Sequence, residues 1–545
     1  MPQGRSRFAI AIAVALVAAV AVPALWAQTP RDPADWVPAD AQVYLGITSI
    51  ADTIAAYEKT AQYAMSQDPA AKDLPGANFM AVGIERFKKR LAGLLDTTPD
   101  QLKLPFKGGA AIYVRVPPGG TSEDAAIVLL AAVDDRDVTA EYYAKIVRQL
   151  GEAADTRDTD SFQSHRIDIF RHTPTEDDDD DFEDFEDFDE SDSEAVGRMV
   201  DTMLDEFFSA ENLPETLATC LTDELFVAAT SPDEIKRVLR RATGDQVLSG
   251  HAEYRKLTQL FPEAGTVRFL INVPAMLEQA AKEGGPEARR SQRALGLTDF
   301  GCVVGHVRIG AGKYESEADA VLLLRGERSG LARIFSMANG PVLPPNYIAA
   351  TTSLYFALHI NPGELIDEIE KIVRQFDPDA ADQMREALEA APSPTGEGTM
   401  NLRRDLIAHL RPPLTYSMGF TRPYGPTSAQ VLLTLAHRSR EALQQLVGTI
   451  GLPPREFRGA ELYDIPVGPG FAIGLAAEQM LAGSVGSVEG AVAAADGGLA
   501  AAAEMRRAAA AVADDSWLTI FVDTRQLMEA ALGLHVRGVA LKPAE

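Results

Sequence analysis

Cysteine is almost absent from this chain, which has only Cys220 and Cys302 among its 545 residues. Two cysteines exclude a small fold held together by several disulfides. Both lie in apolar, strand-like runs, Leu217–Leu221 and Cys302–Val307. The sequence leaves two states open: two buried free thiols, or one disulfide formed in an oxidising compartment.

Basic residues are also few, with 51 Lys and Arg against 79 Asp and Glu, and the formal net charge is −28. This balance argues against nucleic acid or an anionic membrane as a partner, because both bind basic surfaces. One segment supplies half of the excess, since Glu176–Glu194 has 14 acidic residues in 19 positions and no basic residue.

Long apolar runs are missing except at the N-terminus. There, Arg5 and Arg7 precede the uncharged stretch Phe8–Val22, and small residues follow within Ala24–Ala27. This order is typical of a signal peptide, and the stretch is shorter than the roughly 20 residues of a membrane-spanning helix. We therefore expect residues 1–27 to be a signal peptide, although an uncleaved anchor fits the same pattern. The mature protein is expected in the periplasm or outside the cell, with no membrane span.

Catalytic motifs are missing as well. The chain has no His-Glu-x-x-His, no Gly-x-Ser-x-Gly, no phosphate-binding loop ending in Gly-Lys-Ser/Thr and no Cys-x-x-Cys. Gly310–Lys313 is best interpreted as a hairpin turn. His165 and His172 flank one strand-like run and form only a weak metal-site hypothesis with nearby aspartates. The sequence predicts no catalytic residue and no cofactor, and it favours a protein that is not an enzyme.

What the chain does contain is a set of elements that occurs twice. Its length exceeds that of a single hydrophobic core, so two or more domains are expected. The pattern Val267–Leu277 has a counterpart in Leu518–Met528, where an apolar strand leads through a short polar step into a helix. We interpret this as a tandem duplication, with a first domain at residues 37–340 and a second at 343–545. Chance similarity between ordinary elements is the alternative.

The element order predicts the fold class. Each copy has two strands joined by a Pro- and Gly-rich turn, Ala110–Val116 with Ala125–Val133 and Leu414–Thr421 with Ala429–Ala436. A helix is also expected at Ala477–Ala482. Hairpins that return through helices indicate an α+β fold, with mixed or mostly antiparallel sheets covered by helices on one face.

An acidic insertion at 175–194 occurs only in the first copy. So many like charges repel one another, so the segment is expected to be disordered in isolation. Carboxylates suit Ca²⁺, but the ordered glycine and final glutamate of a calcium loop are missing, so only weak calcium binding is predicted. Its candidate metal ligands are Asp177, Asp178, Asp179, Asp180 and Asp181. Its candidate partner-binding residues, spaced three apart, are Phe182, Phe185 and Phe188.

An amphipathic helix is predicted at 194–208, immediately after the insertion. Its apolar residues recur at helical spacing on one face. The pattern fits a helix packed on the core of its own domain, and it also fits a lid or partner-binding helix carried on an acidic tether.

The opening Val37-Pro38-Ala39-Asp40-Ala41, leading into Val43-Tyr44-Leu45, resembles the start of an exported bacterial α+β family known only as a domain of unknown function. Leu343-Pro344-Pro345 is a partial echo of it, although Pro345-Asn346 replaces the Ala-Asp step. Phe226–Arg241, a strand followed by a capped helix start, is similar too. The resemblance implies an exported protein and supplies no catalytic residue.

These observations lead to three functional expectations. The first is an exported, non-enzymatic binding or structural protein of the cell envelope, whose partner is an unknown protein or envelope component. The second is an envelope hydrolase with a site built from dispersed residues. The third is a protein that responds to divalent metal ions.

Overall fold

The structure, a computed structural model, describes most of the chain between residues 32 and 530. The described stretches are 32–60, 108–173, 214–240, 246–261, 267–310, 316–392, 398–425, 428–448, 451–465, 470–494, 497–510 and 514–530, with residues 63–64, 89, 92–93, 97–98, 106 and 512. The predicted signal peptide, the acidic insertion with its eight candidate residues and the predicted helix at 194–208 lie outside them.

The chain forms two compact units. The first comprises residues up to 286 together with 300–324, and the second comprises 287–299 and the residues from 325 onward. The domain limits proposed above remain a sequence-based expectation.

The first unit is built on a ten-stranded sheet. Its strands, β1 to β10 in chain order, are Val43–Ile47, Ala110–Arg115, Ala126–Ala132, Thr156–Phe162, His165–Arg171, Thr216–Leu221, Leu225–Ala229, Val267–Ile271, Phe300–Ile309 and Ser316–Leu324. Their order in the sheet is β10-β9-β8-β1-β2-β3-β7-β6-β5-β4, and each neighbouring pair is antiparallel. The hairpins expected at β2–β3 and β9–β10 are confirmed.

Helices lie on both faces of this sheet, so the expectation of one covered face is wrong. Tyr254, on one helix, packs edge-on against Tyr44 of β1. Tyr143, on another helix, has its hydroxyl 3.2 Å from Thr219 Oγ1 of β6. Strand register places Ala218, the neighbour of Thr219, on the same face as Tyr44, so Thr219 points to the other face. The described helices of this unit are Ile50–Tyr57, Arg136–Ala153, Pro232–Leu239, Ala252–Leu260 and Val273–Glu283.

The second unit contains an eight-stranded sheet and two short ladders. Its strands, β11 to β22, are Gly340–Pro341, Thr352–Leu358, Ala391–Pro392, Thr399–Met400, Leu410–Phe420, Ala429–His437, Pro454–Phe457, Ala460–Ile465, Phe471–Leu475, Gln479–Ser484, Asp515–Ser516 and Leu518–Val522. The main sheet has the order β17-β18-β19-β20-β16-β15-β12-β22 and is antiparallel throughout. The chain is therefore α+β, as predicted.

The helices of the second unit follow its strands. They are Gly330–Ile334, Pro362–Phe376, Pro378–Glu389, Leu402–Asp405, Arg440–Gly448, Val485–Ala493 and Ala503–Ala509, with further helical residues at 524–530, and Gly285–Ala294 spans the boundary between the units. Among the described helices, none combines the length and the apolarity that a bilayer crossing requires. The prediction of a helix at Ala477–Ala482 is wrong, because Gln479–Ser484 forms strand β20.

When the strands of each sheet are numbered along the chain, eight neighbouring strands of the first sheet have the same spatial order as the eight strands of the second. Strands β8-β1-β2-β3-β7-β6-β5-β4 correspond to β22-β12-β15-β16-β20-β19-β18-β17. The register agrees as well: Tyr44 lies opposite Tyr113 and Leu270, and Tyr355 lies opposite Ser417 and Phe521. Positions can therefore be compared residue by residue between the two sheets.

Hydrogen bonds outside the ladders agree with this register. The amide of Asn272 donates to Gln42 O at 2.7 Å, and that of Asp523 donates to Ser353 O at 2.8 Å. Likewise Leu248 donates to Val37 O, and Leu499 donates to Ile348 O. These pairs place Val37 at the position of Ile348, so Leu343-Pro344-Pro345 precedes the counterpart of the Pro-Ala-Asp step. The tandem duplication itself remains a proposal.

Candidate functional site

The first unit has a cluster of charged side chains, two of them buried, between its sheet and a helix. Arg115, the last residue of β2, is 1% exposed. Its Nε donates to Asp40 Oδ2 at 2.9 Å, and its Nη1 donates to Glu234 Oε1 at 2.7 Å. The hydroxyl of Tyr113 donates to the other oxygen of Glu234 at 3.4 Å. We call these four residues the Arg115 cluster.

Local sequence explains how the Arg115 cluster forms. Asp40 belongs to the Pro-Ala-Asp step that leads into β1. Glu234 lies in the first turn of the helix Pro232–Leu239, where a carboxylate is favoured by the helix dipole. Tyr113 and Arg115 are two residues apart on one strand, so their side chains share a face. The cluster therefore ties the lead-in segment and a helix to β2.

A second polar group, the Asp32 cluster, lies on the same face. Tyr254 donates its hydroxyl to Asp32 Oδ1, and Arg268 Nη1 donates to Asp32 Oδ2, both at 2.9 Å. The ring of Tyr44 meets that of Tyr254 edge-on, with centroids 5.7 Å apart. Asp32 also caps the short 3-10 helix Pro33–Asp35 by accepting from the amide of Ala34. This cluster connects the start of the described chain to strand β8 and to the helix Ala252–Leu260.

The tyrosines in both clusters keep their protons at neutral pH. Burial is the main reason why the pKa values of Tyr44, Tyr113 and Tyr254 are raised above their ordinary value. The carboxylate of Glu234 raises that of Tyr113 further, and Asp32 has the same effect on Tyr254. These phenols are hydrogen-bond donors and are poorly suited to act as bases or nucleophiles.

Another buried carboxylate, Asp168 of β5, lies on the opposite face. It accepts hydrogen bonds from Arg166 Nη2 at 2.7 Å, Arg157 Nη2 at 3.1 Å and the hydroxyl of Tyr143 at 3.1 Å. Cys220 lies nearby, and burial raises the pKa of its thiol to about 11, with a smaller contribution from the charge of Asp168. A protonated thiol is a weak nucleophile, so this group also has a structural character.

The histidines considered as ligands do not converge on a metal site. His165 and His172 lie on β5 and just after its end, and His172 Nδ1 is 3.8 Å from Asp155 Oδ2. His306 lies close to Asp319, with Nε2 and Oδ2 3.0 Å apart, and its ring stacks on Phe261. Across the part of the chain that the structure describes, no group of three or more potential ligands is suited to a metal ion. Cys220 and Cys302 are buried free thiols.

The second unit lacks the two ionic clusters at the matching positions. Register places Gly419 where the first unit has Arg115. Thr230 and Ser484 make matching side-chain hydrogen bonds to β3 and β16, and the residue four positions later is Glu234 in one unit and Val488 in the other. The remaining counterparts follow by counting from these anchors. Asp40, Asp32, Tyr254 and Arg268 correspond to Thr351, Leu343, Met505 and Thr519.

The sequence indicated only parts of this site. Asp40 stood in the motif that carried the family resemblance, and Glu234 stood in a helix-start pattern. Nothing marked Arg115 as their partner, because the contact to Glu234 spans 119 residues. Comparison of the chain with family models, curated proteins and solved structures found no match in any of the three.

Proposed function

We propose that the protein is an exported, non-enzymatic binding or structural protein of the cell envelope, built from two α+β units related by tandem duplication. The observation that carries the proposal is the contrast between the units. Eight strands repeat in order and register, whereas the ionic clusters of the first unit have no counterpart at the matching positions of the second. The scaffold repeats and the polar chemistry does not.

The contacts of those groups support a structural role. Arg115, Glu234, Asp32 and Arg268 pair with one another or with neighbouring side chains, and each pair joins two separate elements. An enzyme needs a base or nucleophile that can reach a substrate, usually with a pKa adjusted toward neutrality. The tyrosines and Cys220 have pKa values raised away from neutrality instead.

The envelope location and the partner rest on the sequence. The N-terminal pattern is that of a signal peptide, and a net charge of −28 disfavours nucleic acid as the partner. The acidic insertion with Phe182, Phe185 and Phe188 suits a partner that offers basic side chains around an apolar groove, since both charge and aromatic contacts then contribute.

Cross-linking in the native envelope followed by purification of the mature protein tests the proposal. Four forms are compared: the unchanged chain, a deletion of 176–194, a form with all three phenylalanines changed to Ser, and a form with Asp177–Asp181 changed to Asn. The triple serine form keeps every charge, and the asparagine form keeps every aromatic ring. We expect one partner with the unchanged chain, less with either substituted form and none with the deletion.

Other results would oppose the proposal. Equal recovery from all four forms would remove the insertion as a binding element. Turnover of ester, peptide or glycoside substrates by the unchanged chain would favour the hydrolase. A Ca²⁺-dependent rise in melting temperature that disappears in the asparagine form would favour the metal-responsive protein.

A further inference from the structure

Strand β22 forms one end of the main sheet in the second unit. The structure describes β12 on one side of it and no strand on the other. Two of its apolar side chains are largely open to solvent, Ile520 at 60% and Val522 at 43%. An apolar edge strand whose backbone groups are unpaired on one side is an attachment point for another strand.

The direction of those backbone groups follows from two hydrogen bonds. The amide of Asp523 donates to Ser353 O, and the amide of His359 donates to Trp517 O. The backbone polar groups of residues 517 and 523 therefore point toward β12. In an antiparallel ladder, alternate residues direct both polar groups to the same neighbour. Leu518, Ile520 and Val522 therefore direct their amides and carbonyls toward the open edge. Those of Leu518 are already bonded to Ser516 Oγ, so Ile520 and Val522 supply the backbone groups that no described residue pairs.

The first unit shows what occupies this edge in the same arrangement. Strand β8 has the position of β22, and its corresponding edge is covered by β9. Phe269 lies opposite Gly305, and Ile271 lies opposite Val303. Ile520 and Val522 hold the positions of Phe269 and Ile271.

A sequence similar to the start of β9 recurs near the end of the chain. Ala294-Leu295-Gly296-Leu297 and then Gly301 precede Cys302-Val303-Val304. Ala531-Leu532-Gly533-Leu534 and then Gly538 precede Val539-Ala540-Leu541 at the same spacing. Residues 531–545 lie outside the described residues, so this similarity is one of sequence alone.

We propose that residues 539–542 of this chain add to the open edge of β22 as an antiparallel strand, in the place that β9 has on β8. The matching spacing fixes the register, with Ala540 opposite Val522 and Lys542 opposite Ile520. In this register the backbone nitrogen of Pro543, which has no hydrogen to donate, faces away from β22. This is where a strand tolerates proline, and it discourages a further strand from adding outside.

The connection within one chain is long enough. Residues 524–530 are helical and extend about 10 Å. Nine residues, the number in 531–539, can span roughly 30 Å when extended, which is enough for a return to the end of β22. A strand donated by a second copy of the chain is the competing occupant, and the experiment separates the two.

Paired cysteines test the register. Val522→Cys with Ala540→Cys places both thiols on one face in adjacent strands, and a short bifunctional thiol reagent should join them within one chain. Val522→Cys with Leu541→Cys is the matched control, because a shift of one residue moves the second thiol to the other face. Cys220 and Cys302 are buried, so the unchanged chain measures the background.

Hydrogen exchange provides an independent readout. The amides of Ile520 and Val522 should exchange at least about tenfold more slowly in the full chain than in a chain ending at residue 536. The amides of β17, at the opposite end of the sheet, should be unaffected. Cross-linking between chains would overturn the proposal in favour of a second copy. No cross-link, equal cross-linking of both pairs, or unchanged exchange would also overturn it.

Discussion

Removing one buried charge from the Arg115 cluster should lower the free energy of unfolding far more than removing both charges of the Arg115–Glu234 pair. Glu234→Gln leaves the Arg115 guanidinium, which is 1% exposed, with Asp40 as its remaining counter-ion. The Asp40 side chain is 54% exposed, so water screens its charge. Breaking a buried ion pair costs about 3–5 kcal/mol, and the contact with Asp40 places our expectation near 3 kcal/mol.

The double variant Arg115→Met with Glu234→Leu removes both buried charges and keeps most of the volume. Replacement of a buried pair by apolar side chains is often neutral or stabilising by about 1–4 kcal/mol. The second unit has Gly419 and Val488 at these positions. We therefore expect the free energy of unfolding of the double variant to differ from that of the unchanged chain by no more than about 1 kcal/mol.

Urea unfolding followed by tryptophan fluorescence can assign the effect to one unit. Trp36 packs against the core of the first unit, and Trp517 contacts Phe335 in the second. A Trp517→Phe background, prepared without the predicted signal peptide, leaves Trp36 as the reporter. Asp158→Asn, which removes the exposed pair with Arg171 in the first unit, is the control and should cost about 0–1 kcal/mol.

Two results would refute this reasoning. A loss below about 1 kcal/mol in Glu234→Gln would mean that water or another group replaces the missing carboxylate. A double variant as unstable as the single one would mean that the cluster stabilises the unit through geometry and not through charge balance.

Three further expectations follow from the structure. The first unit should lose stability as pH rises above about 10, because burial raises the pKa of Tyr254 and it stays protonated when folded, whereas it ionises in the unfolded chain. In alkaline unfolding curves, Tyr254→Phe should reduce the slope of the free energy of unfolding against pH by about 1.4 kcal/mol per pH unit. The free energy of unfolding of the second unit should fall as pH falls below about 6.5, because burial lowers the pKa of His437 and the unfolded chain takes up the proton first. His437→Asn should make the stability of this unit less dependent on pH in acid unfolding curves. Asn272→Ala and Asp523→Ala each remove the cap of a matching helix start, and each should lower the free energy of unfolding by about 1 kcal/mol in thermal unfolding. Effects that differ by more than about 1 kcal/mol would argue against equivalent positions.

The elements that sequence predicted well are those whose local signals agree with their tertiary environment. Ala126–Ala132 is apolar and follows a turn rich in proline and glycine, so its hairpin with β2 was predictable. Gln479–Ser484 is different, because Ala, Glu, Gln and Met around it favour helix. Pairing with β16 and β19 outweighs that weak preference.

The site was less predictable than the fold. The edge strand Thr156–Phe162 is polar and mostly exposed, so it lacks the apolar alternation that marks a strand. The Arg115 cluster depends on contacts between distant parts of the chain, and a single arginine at a strand end has no distinctive local pattern. Only the order and register of the strands bring its members together.

The unequal charges of the two units have a consequence for folding fidelity. A chain that contains two sheets of the same order risks exchange of matching helices while it folds. The helix Pro232–Leu239 placed on the wrong sheet would bury Glu234 opposite Gly419, with no arginine to receive it, and the helix Val485–Ala493 would leave Arg115 without its carboxylate. We therefore expect the buried charges to disfavour this exchange. A larger misassembled fraction on refolding of the Arg115→Met, Glu234→Leu variant would support this, and an unchanged fraction would count against it.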